Sequence, residues 1–345
     1  MTTRLQLTRS QILTFRRYVA ALDERLPYGR QALRRAAWAG LQDSMPRAAL
    51  LSIHARMAST KPGSWEDPSL IQVWGPRFSV YVVAKRDLAV FTLSRLPDKS
   101  GPLKRAQDIA AQLQSALAGH RMTQGDAARA MGAKHANQLR YAAPTGTLVI
   151  RWDGSHQPDV WNVPAPEMEP HEARLELARR YLHVFGPATP EAFATWAGIG
   201  TLSGMDAFET LGKSLTQVRT PIGEAWILSR DEPLFHLAPG PAAPARLLPS
   251  GDTWFLLQGP DRELLVPDER QRRALWTSRV WPGALLVAGE TVGTWRRAAH
   301  VLTIQPWRRL SRAQRDAVEV EVGSLPLPGI DRSINVRWDR GWDDG

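Results

Sequence analysis

Apolar residues recur at helical spacing close to the start of the chain. Ile12, Leu13, Phe15, Tyr18, Val19 and Leu22 fall on one face and predict a helix over 8–24. Further helices are predicted from about Gly29 to Ala39 and from Pro46 to Met57. The period then shortens to two. "IQVWGPRFSVYVV" reads as two short strands around Gly75 and Pro76. Helices closed by a hairpin outline a winged helix. The outline returns in "GPLKRAQDIAAQLQSAL", in "MTQGDAARAMG" with Thr123 as N-cap, in "AKHANQLRYAA" stopped by Pro144, and in the hairpin "GTLVIRWDGSHQPDVWNV". After the linker "PAPEMEP" a third copy follows. It has helices at 171–185, at "ATPEAFATWAG" and at about 203–214, then the hairpin "LTQVRTPIGEAWILS". The copies share pattern more than letters.

A second linker, "APGPAAPA" at 238–245, opens a different region. "ARLLPSGDTWFLLQ", "RELLVPD", "GALLVAGETVGTWRR" and "HVLTIQPWRRL" read as short strands between Gly and Pro turns, a small barrel-like domain. The expected fold class is α+β: three tandem winged-helix units followed by a β-barrel-like domain. The expected boundaries are 1–98, 99–166, 167–237 and 245–315, with a C-terminal tail at 316–345 that is partly disordered beyond about Gly323.

Composition narrows the chemistry. The 345 residues contain no cysteine, which excludes disulfides, thiolate metal sites and thiol catalysis, and the eight histidines show no metal-ligand spacing. No stretch approaches the roughly 18 apolar residues of a membrane span, and the first residues lack a signal-peptide core. A cytoplasmic protein without metal or cofactor, nucleoid-associated when bound to its partner, is expected. The formal charge of +10 is carried largely by arginine. It points to a polyanion, whose condensed counterions are released on binding, although an arginine-rich codon bias inflates charge in the same way. Nucleic acid is the expected partner and a monomer the expected state.

One polar stretch interrupts the apolar pattern of the first unit. In "WAGLQDSMPRAAL" (38–50), Gln42, Asp43 and Ser44 separate two helical segments. Pro46 suits a first helical position and disfavours helix at Met45, so 42–45 is a non-helical joint. If the joint is extended, Gln42 and Ser44 share one face and Asp43 points to the other. Asp and Ser before a Pro-started helix are also ordinary capping residues, worth about 1 kcal/mol. Capping and chemistry both remain open from the residues alone.

Several segments together resemble the AlkZ/YcaQ-type DNA glycosylases. "GLQDSMPRAALLSIHAR" is similar to the family's G-L-Q-x-Q-x-P-R-x-A-x-x-x-L-x-A-R region, and "VWGPRFSVYVV" lies where the family has a W-x-x-R-G-T-x-H hairpin, keeping Trp74 and Arg77. "ARRYLHVFGPATPEAFATWAGI" and "LLVAGETVGTWRR" resemble its third winged helix and barrel. The resemblance spans about residues 5–315. It implies a curved cradle for double-stranded DNA as partner, excision of alkylated purines, including N7-guanine adducts and crosslinks, and no cofactor. The family's catalytic pair is Gln-x-Gln. Here Gln42 is kept, Ser44 replaces the second glutamine, and Asp43 is the spacer; Phe78, Ser79 and Tyr81 replace Gly, Thr and His of the hairpin.

An N7- or N3-alkylated purine is cationic and leaves readily, so catalysis reduces to holding a water near C1′ and stabilising an oxocarbenium-like charge. A glutamine carbonyl can aim that water, Ser44 can assist, and a carboxylate at Asp43 would serve as base and electrostatic partner. The catalytic candidates are Gln42, Asp43 and Ser44. Candidate DNA contacts are Arg77, Tyr81, Lys134, Asn137, Gln138, Arg140, Trp295, Arg296 and Arg297, with Trp295 open to a core role as well. His54 reads as a helix residue, and "HQPD" as the tip of a wing. The rival readings are a non-catalytic winged-helix DNA-binding protein, such as a regulator or damage-recognition module, and a protein-interaction scaffold.

Overall fold

A computed structural model describes residues 5–45, 47–154, 157–238, 240–327 and 333–339. The fold is mixed α+β. The expected N1 position at Pro46 and the start of the "HQPD" tip at His156 lie outside the described residues.

The first unit comprises β1 (Leu5–Gln6), α1 (Arg9–Val19), α2 (Arg30–Ala36), β2 (Leu41–Gln42), α3 (Ala48–Arg56), β3 (Leu70–Trp74), β4 (Val80–Ala84) and α4 (Leu88–Thr92). Helix α1 opens with a reciprocal cap: Thr8 accepts from the Gln11 amide, and the Gln11 side chain accepts from the Thr8 amide. It ends at Val19, earlier than the apolar spacing predicted, because Ala21 takes φ +51°. The second unit holds α5 (Ser100–Leu117), β5 (Met122–Thr123), α6 (Gln124–Ala130), β6 (Leu148–Arg151) and β7 (Asp159–Asn162). Thr123 caps α6 by accepting from the Asp126 amide. The predicted α-helix at 133–143 is instead a 3-10 segment, Ala136–Thr145, and Pro144 lies inside it rather than stopping it. In an α-helix the proline ring would clash with the carbonyl four residues earlier, which disfavours the α form here.

The first two hairpins join. Among the described residues they form one sheet in the order β2-β4-β3-β6-β7-β5, with Gln72 paired to Ile150 across the seam. The third unit has α7 (Pro170–Phe185), α8 (Pro190–Ala197), α9 (Thr201–Leu211), β8 (Leu215–Thr220) and β9 (Gly223–Leu228). β1 returns to pair in parallel with β8. Arg16 of α1, buried at 2 % exposure, donates to the carbonyl oxygens of Phe185 and Gly186 at the C-terminal end of α7. It thereby satisfies acceptors that no helical amide reaches.

The last region has β10 (Ala245–Leu248), α10 (Asp261–Leu265), α11 (Glu269–Leu275), β11 (Gly283–Val287), β12 (Glu290–Ala298), β13 (Val301–Pro306), α12 (Arg312–Gly323) and β14 (Asn335–Trp338). The strands run β10-β11-β12-β13-β14 in one sheet among the described residues. Two expectations change here. "RELLVPD" is helical over Asp261–Leu265, as its Arg, Glu and Leu content favours and its lack of early β-branched residues permits. The expected tail at 316–345 is, where described, part of this region: α12 packs Val318 and Val322 into the sheet's core, and β14 pairs in parallel with β13.

A continuous apolar core links the units. It includes Leu13, Tyr81, Phe91, Val149, Tyr181, Phe185, Trp196, Trp254, Phe255 and Trp307, drawn from all of them. Each large side chain sealed there contributes about 1.5–3 kcal/mol.

Candidate active site

The joint between α2 and α3 is an edge of the mixed sheet. Gln42 pairs with Tyr81, and the Asp43 amide donates to the Val80 carbonyl at 2.7 Å, so the backbone stays extended through both residues. Extended backbone alternates side chains. Gln42 is half-buried and Ser44 exposed, and they meet on one side: Gln42 Nε2 donates to Ser44 Oγ at 3.2 Å. Gln42 Oε1 is buried with no protein partner.

Asp43 points the other way and is 1 % exposed. Its Oδ1 accepts from the Ala49 amide at 2.9 Å, inside the first turn of α3, and its Oδ2 accepts from Gln72 Nε2 at 2.8 Å. The N-cap position of α3 is Arg47, in a left-handed conformation at φ +68°; its guanidinium holds no acceptor for the first-turn amides, and Asp43 supplies one from four residues earlier. Burial pushes the Asp43 carboxyl up to about 7, opposed by the Ala49 amide, Arg47 and Gln72.

Gln72 links this carboxyl to the second unit. Its Nε2 also donates to the Trp152 carbonyl at 3.1 Å, and its Oε1 accepts from the Trp152 amide at 2.6 Å. The side chain thus continues the sheet pairing where β6 leaves it. Arg47 makes a second link, donating to the Asp153 carbonyl at 2.7 Å with its guanidinium 4.5 Å above the Trp65 ring.

The other candidates lie on separate elements. Arg77 is half-buried in a left-handed turn between β3 and β4, its backbone against Gly198. Lys134 and Asn137 are exposed, before and within the 3-10 segment. Gln138 shares a shallow cavity of about 410 Å³ with Lys104 and Arg105 of α5. Arg140 is half-buried, its guanidinium 5.7 Å from the Trp74 ring. Arg296 and Arg297 are exposed on β12, holding the Val280 and Ala299 carbonyls.

Two candidate DNA contacts need correction. Tyr81 is fully buried, its ring fitted between Gly40 and Gly75, where an added Cβ would stand 2.9 Å from ring atoms on either side. Trp295 is 6 % exposed, covers Gly283, and donates from Nε1 to the Leu248 carbonyl at 2.9 Å. Both rings pack the interior and neither presents a face to a ligand on the surface. His54 is buried too, its ring between Arg25 and Ser324; burial and the charges of Arg25 and Arg246 lower it to about 4.

The residues missed by sequence reading come from far along the chain. Gly251, in the turn after β10, lies against the Gln42 amide, and the neighbouring Asp252 is bound to Ser52 and Arg56 of α3. The local letters, "PSGDT", read only as a turn. Among the described residues no group of three or more His, Asp and Glu side chains is placed to hold a metal, and no helix is long and apolar enough to cross a membrane.

Known proteins share this fold. The solved structure of Streptomyces sahachiroi DNA glycosylase AlkZ superposes with a TM-score of 0.79, covering 97% of this chain and 100% of that one at 20% identity, a likeness of fold. A curated relative from the same organism, named "Interstrand DNA cross-link repair glycosylase", is 27% identical over 201 residues. The match covers 56% of this chain and spans about half the length of the relative. The family model described as "DNA glycosylase AlkZ-like" matches residues 34–326. The chain belongs to that family.

Proposed function

We propose that the protein is a monofunctional DNA glycosylase that hydrolyses the N-glycosidic bond of alkylated purines in duplex DNA, N7-guanine adducts and interstrand crosslinks among them. The observation that carries this reading, within the family's fold, is the Gln42 amide. Its Nε2 is engaged by Ser44 Oγ, and its Oε1 is a buried acceptor with no protein partner. A buried carbonyl oxygen without a donor is costly unless something completes it, and a water's O–H is a fitting donor. In the reaction the water oxygen bonds to C1′ as the C1′–N9 bond breaks. The bond's electron pair goes to N9, which neutralises the alkylated purine, and the water's proton passes to solvent. Gln42 Oε1 orients the water through its hydrogen, and Ser44 holds the amide.

Asp43 has a different part in this scheme. Both its oxygens are occupied, by the Ala49 amide and by Gln72, and it faces away from Gln42. It fixes the joint to α3 and acts at a distance on the developing positive charge. The helix–hairpin units at 1–98, 99–166 and 167–237 serve as three winged helices, and the last sheet, with α12 and β14, as a barrel-like wall. Arg77, Lys134, Asn137, Gln138, Arg140, Arg296 and Arg297 then supply contacts to the duplex.

Single-turnover release of N7-methylguanine from duplex DNA tests this. Wild type should release base, and Gln42→Ala should lower the rate about 100-fold at unchanged DNA affinity. DNA binding without release from N7-methylguanine or N3-methyladenine would replace this reading with the non-catalytic one.

A further inference from the structure

The joint is not completed by the first unit alone. Gly251 is buried at φ +78°, and an added Cβ would stand 3.2 Å from Gln42 Cδ, 3.4 Å from Oε1 and 3.5 Å from its Cβ. The next residue fastens this turn. Asp252 Oδ1 accepts from Arg56 Nη2 and from the Trp254 amide, each at 2.8 Å. Its Oδ2 accepts from Arg56 Nη1 at 2.7 Å and from Ser52 Oγ at 2.6 Å. Ser52 and Arg56 belong to α3, whose first turn is held by Asp43. A closed circuit of contacts therefore runs from Gln42 through Asp43, α3 and Asp252 to Gly251, and it sets the spacing between Gly251 and the Gln42 amide.

We infer that Gly251 is a positioning residue for Gln42, and that the last sheet region thereby completes the site. This rests on the reading of Gln42 as the water-orienting group. The bare Cα face of Gly251 is the wall against which the amide rests while Nε2 reaches Ser44. Only a residue without a side chain combines that approach with this backbone conformation at low cost. An added methyl group must push the amide by a few tenths of an ångström. Misplacement by about 1 Å can slow a reaction about 100-fold, so a shift of this size should slow release by about 3- to 10-fold.

The test compares Gly251→Ala with Gly119→Ala in the full chain. Gly119 has φ +82° and nothing within 4 Å of an added Cβ, so its variant carries the backbone strain without the contact. At saturating duplex containing N7-methylguanine, Gly251→Ala should release base about 3- to 10-fold more slowly, with DNA affinity within about twofold, and Gly119→Ala at the wild-type rate. Gln42→Ala/Gly251→Ala should be no slower than Gln42→Ala. An unchanged rate in Gly251→Ala overturns the inference, as does a full additional loss in the double variant. A second measurement needs no catalysis: the side-chain amide NMR signal of Gln42, assigned by its loss in Gln42→Ala, should shift in Gly251→Ala and not in Gly119→Ala. If wild type releases no base, a shifted signal upholds the positioning while the glycosylase reading falls. An unshifted signal overturns the positioning whatever the activity.

Discussion

Arg56 and Asp252 face each other in a two-pronged ion pair inside the protein, Nη1 to Oδ2 at 2.7 Å and Nη2 to Oδ1 at 2.8 Å, both side chains sealed from solvent. The pair joins α3 to the turn that carries Gly251. Removing one partner leaves the other charge buried and uncompensated. Asp252→Ala should cost about 3–5 kcal/mol, read by urea unfolding, and Arg56→Met/Asp252→Ala should recover much of it. A loss in Asp252→Ala below about 1 kcal/mol would show that the pair is solvated.

Asp43 gives a pH signature. Its folded carboxyl is raised from 3.8 to about 7, so the native chain holds this proton more tightly than the unfolded one. Stability from the protonated form is fully present below about pH 4 and is lost as pH rises through about 7. The stability of wild type relative to Asp43→Asn should therefore fall between pH 4 and 7, by up to about 4 kcal/mol, and stay level above. Unfolding of both proteins across that range measures it. A difference that grows in favour of wild type with rising pH would mean that the hydrogen bonds from Ala49 and Gln72 outweigh burial.

The two neighbours of the joint should separate kinetically. Ser44→Ala removes the partner of Gln42 Nε2 and should slow single-turnover release about 10-fold, less than Gln42→Ala. Asp43→Asn keeps an acceptor for the Ala49 amide and should change release less than Ser44→Ala does. A collapse of release in Asp43→Asn, with the fold intact by circular dichroism, would instead make the aspartate the catalyst.

The exposed and buried candidates differ in their response to salt. Lys134→Ala should weaken DNA binding at every sequence and reduce the slope of log K against log salt by about 1. Trp295→Phe loses the hydrogen bond to the Leu248 carbonyl and should lower the melting temperature with no change in that slope. Weaker DNA binding by Trp295→Phe at low salt, with the fold intact, would place that residue at the DNA surface.

Gly40 supplies a stability test of the first unit. It has φ +73°, and an added Cβ would meet Phe91 and Tyr81 ring atoms at 2.9 Å. Gly40→Ala should cost about 2–4 kcal/mol by overpacking and backbone strain, seen as a drop in melting temperature.

Local pattern was a good guide where a local cause sets the structure. The cap at Thr123, the helix at Pro170–Phe185 and the hairpin about Gly75 all follow from letters within a few residues. So does the alternation at the joint, since an extended backbone leaves Gln42 and Ser44 no other arrangement. What the letters withheld was long-range. Tyr81 stands at a position where the resemblance suggested a contact, yet Gly75 of its own hairpin and Gly40, far earlier in the chain, enclose its ring. Trp295 alternates like any strand residue, and only its partner at Leu248 shows which side is covered. "RELLVPD" is short and apolar enough to suit a strand, and its context made it a helix. The tie between Gln42 and Gly251 has no local mark at all.

That tie also has a consequence in time. Gly251 follows Gln42 by roughly 200 residues. A ribosome adding about 5–20 residues per second needs about 10–40 s to cover that distance. During this interval the first helices and both early hairpins can pack, while the Gln42 amide has no wall behind it. On the proposed reading of Gln42, a nascent chain therefore completes its water site late, with the turn at Gly251.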